Sequence, residues 1–318
     1  MYTYALVATL AVVGFGALLL RYAAGLQLVD APAAAPERKR QKQPIPIVGG
    51  SAILLSGLTL VALFGAPPFS LSSVAAPHSA WLGVGLLLAF GVGLIDDLFV
   101  GGLSAWQKVV GQLLASLPMA YVAFALHGAL GIPVAIMMAI TAMNLANTYD
   151  NADGALTSLA ALALALTAPV VALGVAAFLP LNIGEWGLRR ASNRKEPRAY
   201  LGDSGSHLLG MLVLLYPPAW GFFFVPALDL ARVSILRIRA GRHIWSGDRW
   251  HLAHRLEERG LSPLAVLILL GGMAAPAVLA PSILGRFGIE AQILAGYLPS
   301  CALFFLAVRA SRPKELGR

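Results

Sequence analysis

Residues 155–183, ALTSLAALALALTAPVVALGVAAFLPLNI, run for 29 positions without a charged side chain. The stretch is long for one membrane span and short for two, since a 14-residue helix rises only ~21 Å against a hydrocarbon core of ~30 Å. The adjoining loop decides between them. Segment 184–204 carries Arg189, Arg190, Arg194, Lys195 and Arg198. One span would put that segment outside and invert everything after it. Two short helices turning near Pro169 keep it on the side that holds the other basic loops, as the positive-inside rule requires.

Working outward, the chain has 318 residues, 58% hydrophobic and 12% charged, against about 25% charged in ordinary globular proteins. That excludes a soluble enzyme, a disordered chain and a disulfide scaffold. The expected fold is an all-α polytopic integral-membrane bundle of 10–11 helices, one domain over 1–318. Spans are expected near 2–20, 47–64, 80–95, 108–126, 131–147, 155–168, 169–183, 205–217, 219–237, 262–280 and 290–308. Residues 2–20 lack a basic leader and read as a first span, not a cleaved signal. Cys301 reads as a packing residue.

With the N-terminus outside, loops 21–46, 96–107, 148–154, 184–204 and 238–261 and the C-terminal tail are cytoplasmic. Of the 23 basic residues, Arg286 alone falls in an external loop. The net charge of +8 therefore reports topology and implies no nucleic acid.

Charge at membrane level is costly, so acids at span ends need a reason. Asp96 and Asp97 end the third span. Neighbouring helical residues point ~100° apart, so the pair reads as two different roles. Asn144, Asn147, Asp150 and Asp153 follow at a strict spacing of three, leaving the fifth span for a turn at Gly154. Asn donates and accepts while Asp accepts, so this row suits a base and ribose edge or a cation. Capping explains Asp150 to Gly154 equally well, but not Asn144 and Asn147 in an apolar helix. Gly202-Asp203-Ser204-Gly205-Ser206 opens the eighth span, where small residues and a helix N-terminus suit phosphate; Asp203 could also be a plain N-cap. Arg242, His243, Asp248, Arg249, His251, His254 and Arg255 form a basic loop suited to diphosphate and sugar. Topology places all four groups on the cytoplasmic face. Several Asp oxygens without thiolate suit Mg²⁺, or Mn²⁺, and phosphoryl chemistry on a diphosphate.

Together these motifs resemble the polyprenyl-phosphate N-acetylhexosamine-1-phosphate transferases, the family of MraY, WecA and TagO. Lys42-Gln43-Pro44-Ile45-Pro46-Ile47-Val48-Gly49-Gly50 is similar to the family's basic loop and Pro-x-Pro-x-x-Gly-Gly entry to the second span. Asp96-Asp97, Asn144 to Gly154 and Gly202 to Ser206 match its later motifs in order, and Asp229 sits where a span aspartate is expected. The resemblance implies transfer of a sugar 1-phosphate from a UDP-N-acetylhexosamine to a polyprenyl phosphate, with UMP released, in a multi-pass inner-membrane enzyme working at the cytoplasmic face. It also implies roles: Asp203 and Asp97 for Mg²⁺, Asp96 for the attacking phosphate, and Asn144, Asn147, Asp150 and Asp153 for the nucleotide. Lys42, Lys108, Arg249, His251, His254 and Arg255 would handle phosphates and sugar.

The sequence also departs from the family. His251-Leu252-Ala253-His254 lacks the middle imidazole of His-x-His-His, Asn151 replaces a glycine, and the interval from Asp97 to Lys108 is about two residues longer than the family pattern implies. Without a triple histidine the chain is similar to the WecA and TagO branch, with UDP-GlcNAc as the default donor and initiation of an envelope glycan as the implied purpose. Whether it forms a homodimer is left open. Two other classes bear weighing: a UbiA-type intramembrane prenyltransferase, which needs two Asp-x-x-x-Asp repeats, and an ion-coupled transporter, which commonly shows two-fold repeats.

Overall fold

A computed structural model describes residues 1–31, 43–65, 76–99, 101–184, 196–245 and 248–311. Each expected span is helical. The long helices are α1 (Tyr2–Tyr22), α2 (Gly49–Phe64), α3 (Ala76–Leu98), α4 (Ala105–His127) and α5 (Gly131–Tyr149). After the central segment come α10 (Phe224–Arg239), entered through a 3₁₀ turn Pro217–Phe223, then α12 (Pro263–Leu284), the short α13 (Ile289–Gln292) and α14 (Leu298–Ala310). Among the described residues, 7 helices are long and apolar enough to cross a membrane. This is a multi-pass membrane protein, and its outward faces carry leucines and aromatics such as Leu6, Leu10, Leu114 and Phe305.

Residues 155–183 turn back near Pro169 as expected, but as two arms too short to be spans. α6 (Ala155–Leu164) ends before Pro169, which starts α7 (Pro169–Ala176), and a last turn, α8 (Leu179–Asn182), completes the return. Thr157 at the start of α6 donates to Asn182 at the end of α8, 2.8 Å. The two arms are therefore antiparallel, and the chain leaves by the end it entered. Ten residues rise only ~15 Å, so the hairpin penetrates about half of a hydrocarbon core.

The axis of the bundle is α9 (Gly202–Leu214), in which every side chain from Ser204 to Leu214 is buried. Beyond its polar first turns the helix is apolar all round, and such a helix belongs inside. It packs against α2, α3, α5 and α6. Two contacts demand glycine: a Cβ on Gly93 of α3 would run into the main chain of Asp203 and Ser204, and one on Gly50 of α2 into Gly205 and Ser204. The double glycine that starts α2 is thus a seat for the glycine-serine turn that starts α9. The first N–H groups of α2, which a helix leaves unmet, reach across: Gly49 donates to the carbonyl of Tyr200 (3.1 Å) and Gly50 to that of Leu201 (3.0 Å). Two pairings the sequence did not announce reinforce this junction. β1 (Val29–Asp30) runs antiparallel to β2 (Ile45–Pro46), and Ile47 bridges Tyr200 in parallel.

Candidate active site

Helices α3 and α5 end, and α4 and α9 begin, at the same end of the bundle, so their terminal side chains meet there. Gly202 has φ +81°, and a Cβ would strike Ile47 and the Asp97 carboxylate, so only glycine lets the chain turn into α9 this close to α3. Asp97 fills the turn: its two carboxylate oxygens accept from the N–H of Asp203 (2.8 Å) and of Ser204 (3.0 Å). A carboxylate at a helix N-terminus also meets the positive end of the dipole. Asp96, the other half of the pair, points elsewhere. One oxygen accepts from Leu103 N–H at 2.6 Å, fixing the turn into α4, and the other pairs with Lys108 Nζ at 2.9 Å.

Lys108 lies one turn into α4, behind a Ser104–Gln107 capping box. Its ammonium bridges Asp96 and Asp203, 2.7 Å from Asp203 Oδ2. Asn147 Nδ2 donates to the other Asp203 oxygen at 2.9 Å. Asn144 turns one turn deeper, donating to Gln112 Oε1 and to the carbonyl of Ile140, both at 2.8 Å. Beyond the helix end, burial and the negative charges of Asp203, Asp97 and Asp153 push Asp150 well above the usual carboxylate range. Burial, followed by Glu257 and Glu196, pushes Asp153 up to about 7. A buried set of carboxylates with one ammonium between them is short of positive charge. Mg²⁺ is commonly held by one or two carboxylates together with substrate phosphates, not by an all-protein cage. The donor set here fits that mode. Among the described residues no group of three or more His, Cys, Asp or Glu side chains forms a metal cage.

A second cluster forms where the basic loop folds back. Asp229 on α10 is buried; its Oδ2 lies 2.9 Å from His251 Nδ1, and it accepts from Leu252 N–H at 3.1 Å, capping α11 (Leu252–Glu258) from outside the helix. Arg232 holds the other oxygen at 2.7 Å and donates to the carbonyl of Trp250. His251 is thereby oriented by a carboxylate, leaving Nε2 for another partner. His254 lies 3.4 Å from Glu257, which also pairs with Arg249 at 3.2 Å. Burial works against ionising Glu257, but the His254 hydrogen bond and the charges of His254 and Arg249 hold it below the usual range. Arg255 is half-buried on α11. Ala253, where a middle imidazole is missing, is buried on a cavity of about 20 Å³ with Tyr149, Leu270 and Phe304.

Asp96, Asp97, Lys108, Asn147, Asp150 and Asp203 are thus brought together, with Asp153 and the His251–His254 segment beside them. Lys42 lies outside the described residues. Sequence reasoning missed Gln112, His207 and the buried Arg237–Asp248 pair (2.8 Å), which closes the loop leading to His251. Helical spacing from Lys108 and Asp203 was the signal for the first two.

Residues 79–217, which hold every member of the acidic cluster, match the profile of glycosyl transferase family 4. Over that segment the chain is similar to the family. It is 28% identical to the decaprenyl-phosphate N-acetylglucosaminephosphotransferase of Mycobacterium leprae, over 82% of this chain and 80% of the relative. It is 26% identical to the undecaprenyl-phosphate alpha-N-acetylglucosaminyl 1-phosphate transferase of Yersinia pestis, over 88% and 82%. The enzyme of that name from Salmonella typhi is 27% identical, over 83% and 77%. The family match ends before His251, whereas relatives aligned over more than four-fifths of the chain extend past it.

Proposed function

We propose that this enzyme transfers N-acetylglucosamine 1-phosphate from UDP-N-acetylglucosamine to a polyprenyl phosphate, undecaprenyl phosphate by default, at the cytoplasmic face of the inner membrane. The observation that carries the reading is the convergence of Asp96, Asp97, Lys108, Asn147 and Asp203 at one end of the bundle, inside the segment the family profile matches. The names of the relatives supply the substrates.

In this reaction an oxygen of the lipid phosphate attacks the β-phosphorus of the nucleotide sugar. The bond from that phosphorus to the bridging oxygen breaks, and the electron pair leaves on UMP. Phosphoryl transfer leaves little covalent work for the protein; positioning and charge neutralisation carry it. Lys108 is poised between Asp96 and Asp203 to turn towards incoming phosphate oxygens. Asp96, anchored by Leu103, orients the attacking phosphate. Asp203, aided by Asp97, would hold Mg²⁺, which supplies neutralisation of the diphosphate charge when bound. His251, oriented by Asp229, and the arginines of the 249–255 segment face the phosphates and sugar. Asp150 and Asp153 border the nucleotide.

The test is purified protein in detergent with undecaprenyl phosphate, Mg²⁺ and a panel of UDP-N-acetylhexosamines, reading UMP and lipid-linked sugar. UMP release that needs lipid phosphate, stops with chelator and returns with Mg²⁺ is the expected result. Release without acceptor, or none with any donor from folded protein, would overturn the reading.

A further inference from the structure

Below the acidic cluster lies a second polar layer that the proposed reaction does not use. Gln112 follows Lys108 by one turn of α4, His207 follows Asp203 by one turn of α9, and Asn144 precedes Asn147 by one turn of α5. Three helices therefore each contribute one member to the upper layer and one to the lower, about 5.4 Å deeper. Asn144 Nδ2 lies 2.8 Å from Gln112 Oε1, and Gln112 Nε2 lies 3.2 Å from His207 Nε2. Gln112 and His207 are each 1% exposed. Neutral polar groups so deep in apolar helices are costly unless they do something.

The direction of every bond in this layer follows from one main-chain atom. The carbonyl of Ile140 can only accept, so the Asn144 group 2.8 Å from it is the NH₂. The same NH₂ faces Gln112, so Gln112 presents its oxygen there and its own NH₂ to the ring. His207 Nε2 must then accept, and the ring proton sits on Nδ1. Nδ1 is buried without a hydrogen-bond partner among the described residues. An unmet buried N–H is unfavourable, and it persists here because the other nitrogen is committed to Gln112.

We propose that Asn144, Gln112 and His207 are positioning residues, a one-way hydrogen-bond chain that fixes the rotation of α4, α5 and α9 about their axes. Rotating any of the three breaks a bond in the lower layer and swings Lys108, Asn147 or Asp203 away from the others. The lower layer touches no substrate; it sets the geometry of the groups that do. Its kinetic consequence rests on the proposed transferase reaction, while its wiring does not.

The experiment uses full-length protein with ¹⁵N-labelled histidine. The His207 ring is assigned by its loss in His207→Gln. The wild type is expected to show His207 protonated on Nδ1 alone. Gln112→Glu, which offers an acceptor where the amide donated, should move the proton to Nε2. An Nε2-protonated or doubly protonated ring in the wild type would overturn the proposal. In turnover, His207→Phe and Gln112→Met should lose about 10- to 100-fold in kcat with KM for the nucleotide sugar little changed, as a misplacement of about 1 Å does. His207→Gln keeps an acceptor near the Nε2 position and should keep most of the activity. Full activity of folded His207→Phe would also overturn it. A wild type inactive with every donor would count against the transferase reading, and the tautomer would then decide this proposal alone.

Discussion

Replacing Asp97 with asparagine should cost stability as well as turnover. Both oxygens of Asp97 are used by the N–H groups of Asp203 and Ser204, at 2.8 and 3.0 Å. Asparagine keeps one oxygen and turns an NH₂ against the second N–H. One charge-assisted hydrogen bond contributes about 1.5–3 kcal/mol and the lost charge at the helix N-terminus up to about 1 kcal/mol more, together about 2–4 kcal/mol. At a few degrees per kcal/mol, the unfolding midpoint should fall by about 5 °C or more. Asp203→Asn leaves the Asp203 N–H donating to Asp97 but loses a bond from Lys108 or Asn147 to its own carboxylate, so a fall of comparable size is expected there too. The assay is thermal unfolding of both variants in detergent without Mg²⁺, followed by turnover. An Asp97→Asn protein that melts with the wild type, yet is inactive, would refute the capping argument and leave Asp97 with a role in the reaction alone.

Three further outcomes come from the same geometry. Arg237→Met should destabilise by about 3–5 kcal/mol, because Asp248 is then buried unpaired, and adding Asp248→Leu should recover most of the loss; denaturant unfolding of the single and double variants checks it. Ala253→His should cost about 1–3 kcal/mol by overfilling a cavity of about 20 Å³, with donor preference unchanged; a switch in donor across the nucleotide-sugar panel would contradict this. Asp153, pushed up to about 7 by burial and by Glu257 and Glu196, binds its proton more tightly in the folded chain than in the unfolded one. Its contribution therefore declines as pH rises from about 4 to about 7. Ligand-free protein should melt higher at pH 5 than at pH 8, and Asp153→Asn should narrow that difference.

Most of the architecture was legible because a bilayer imposes one rule on every segment. Long uncharged runs separated by basic loops located the helices, and the arginines after residue 183 forced residues 155–183 to double back, as Thr157 and Asn182 show. Acids at span ends stood out for the same reason. Interactions between helices distant in sequence were not legible: the Asp97 cap on α9, the Lys108 bridge and the Asn144–Gln112–His207 chain join residues 32 to 107 positions apart. Gln112 and His207 also lack the repetition that drew attention to Asn144, Asn147, Asp150 and Asp153. The Ala253 position could be seen in the sequence, but its burial depends on Leu270 and Phe304, which arrive from α12 and α14.

The seating of α9 on residues made long before it has a consequence for synthesis. When the ribosome has completed α5, Asp96, Asp97, Lys108 and Asn147 are all present, yet Asp203 follows Asp97 by 106 positions. Until then the α3 carboxylate has no amides to grip, and Gly50 and Gly93 face an empty seam. A nascent chain cannot act on a nucleotide sugar before its axial helix is threaded between partners already in the membrane. Insertion of α9 is therefore a precondition of activity.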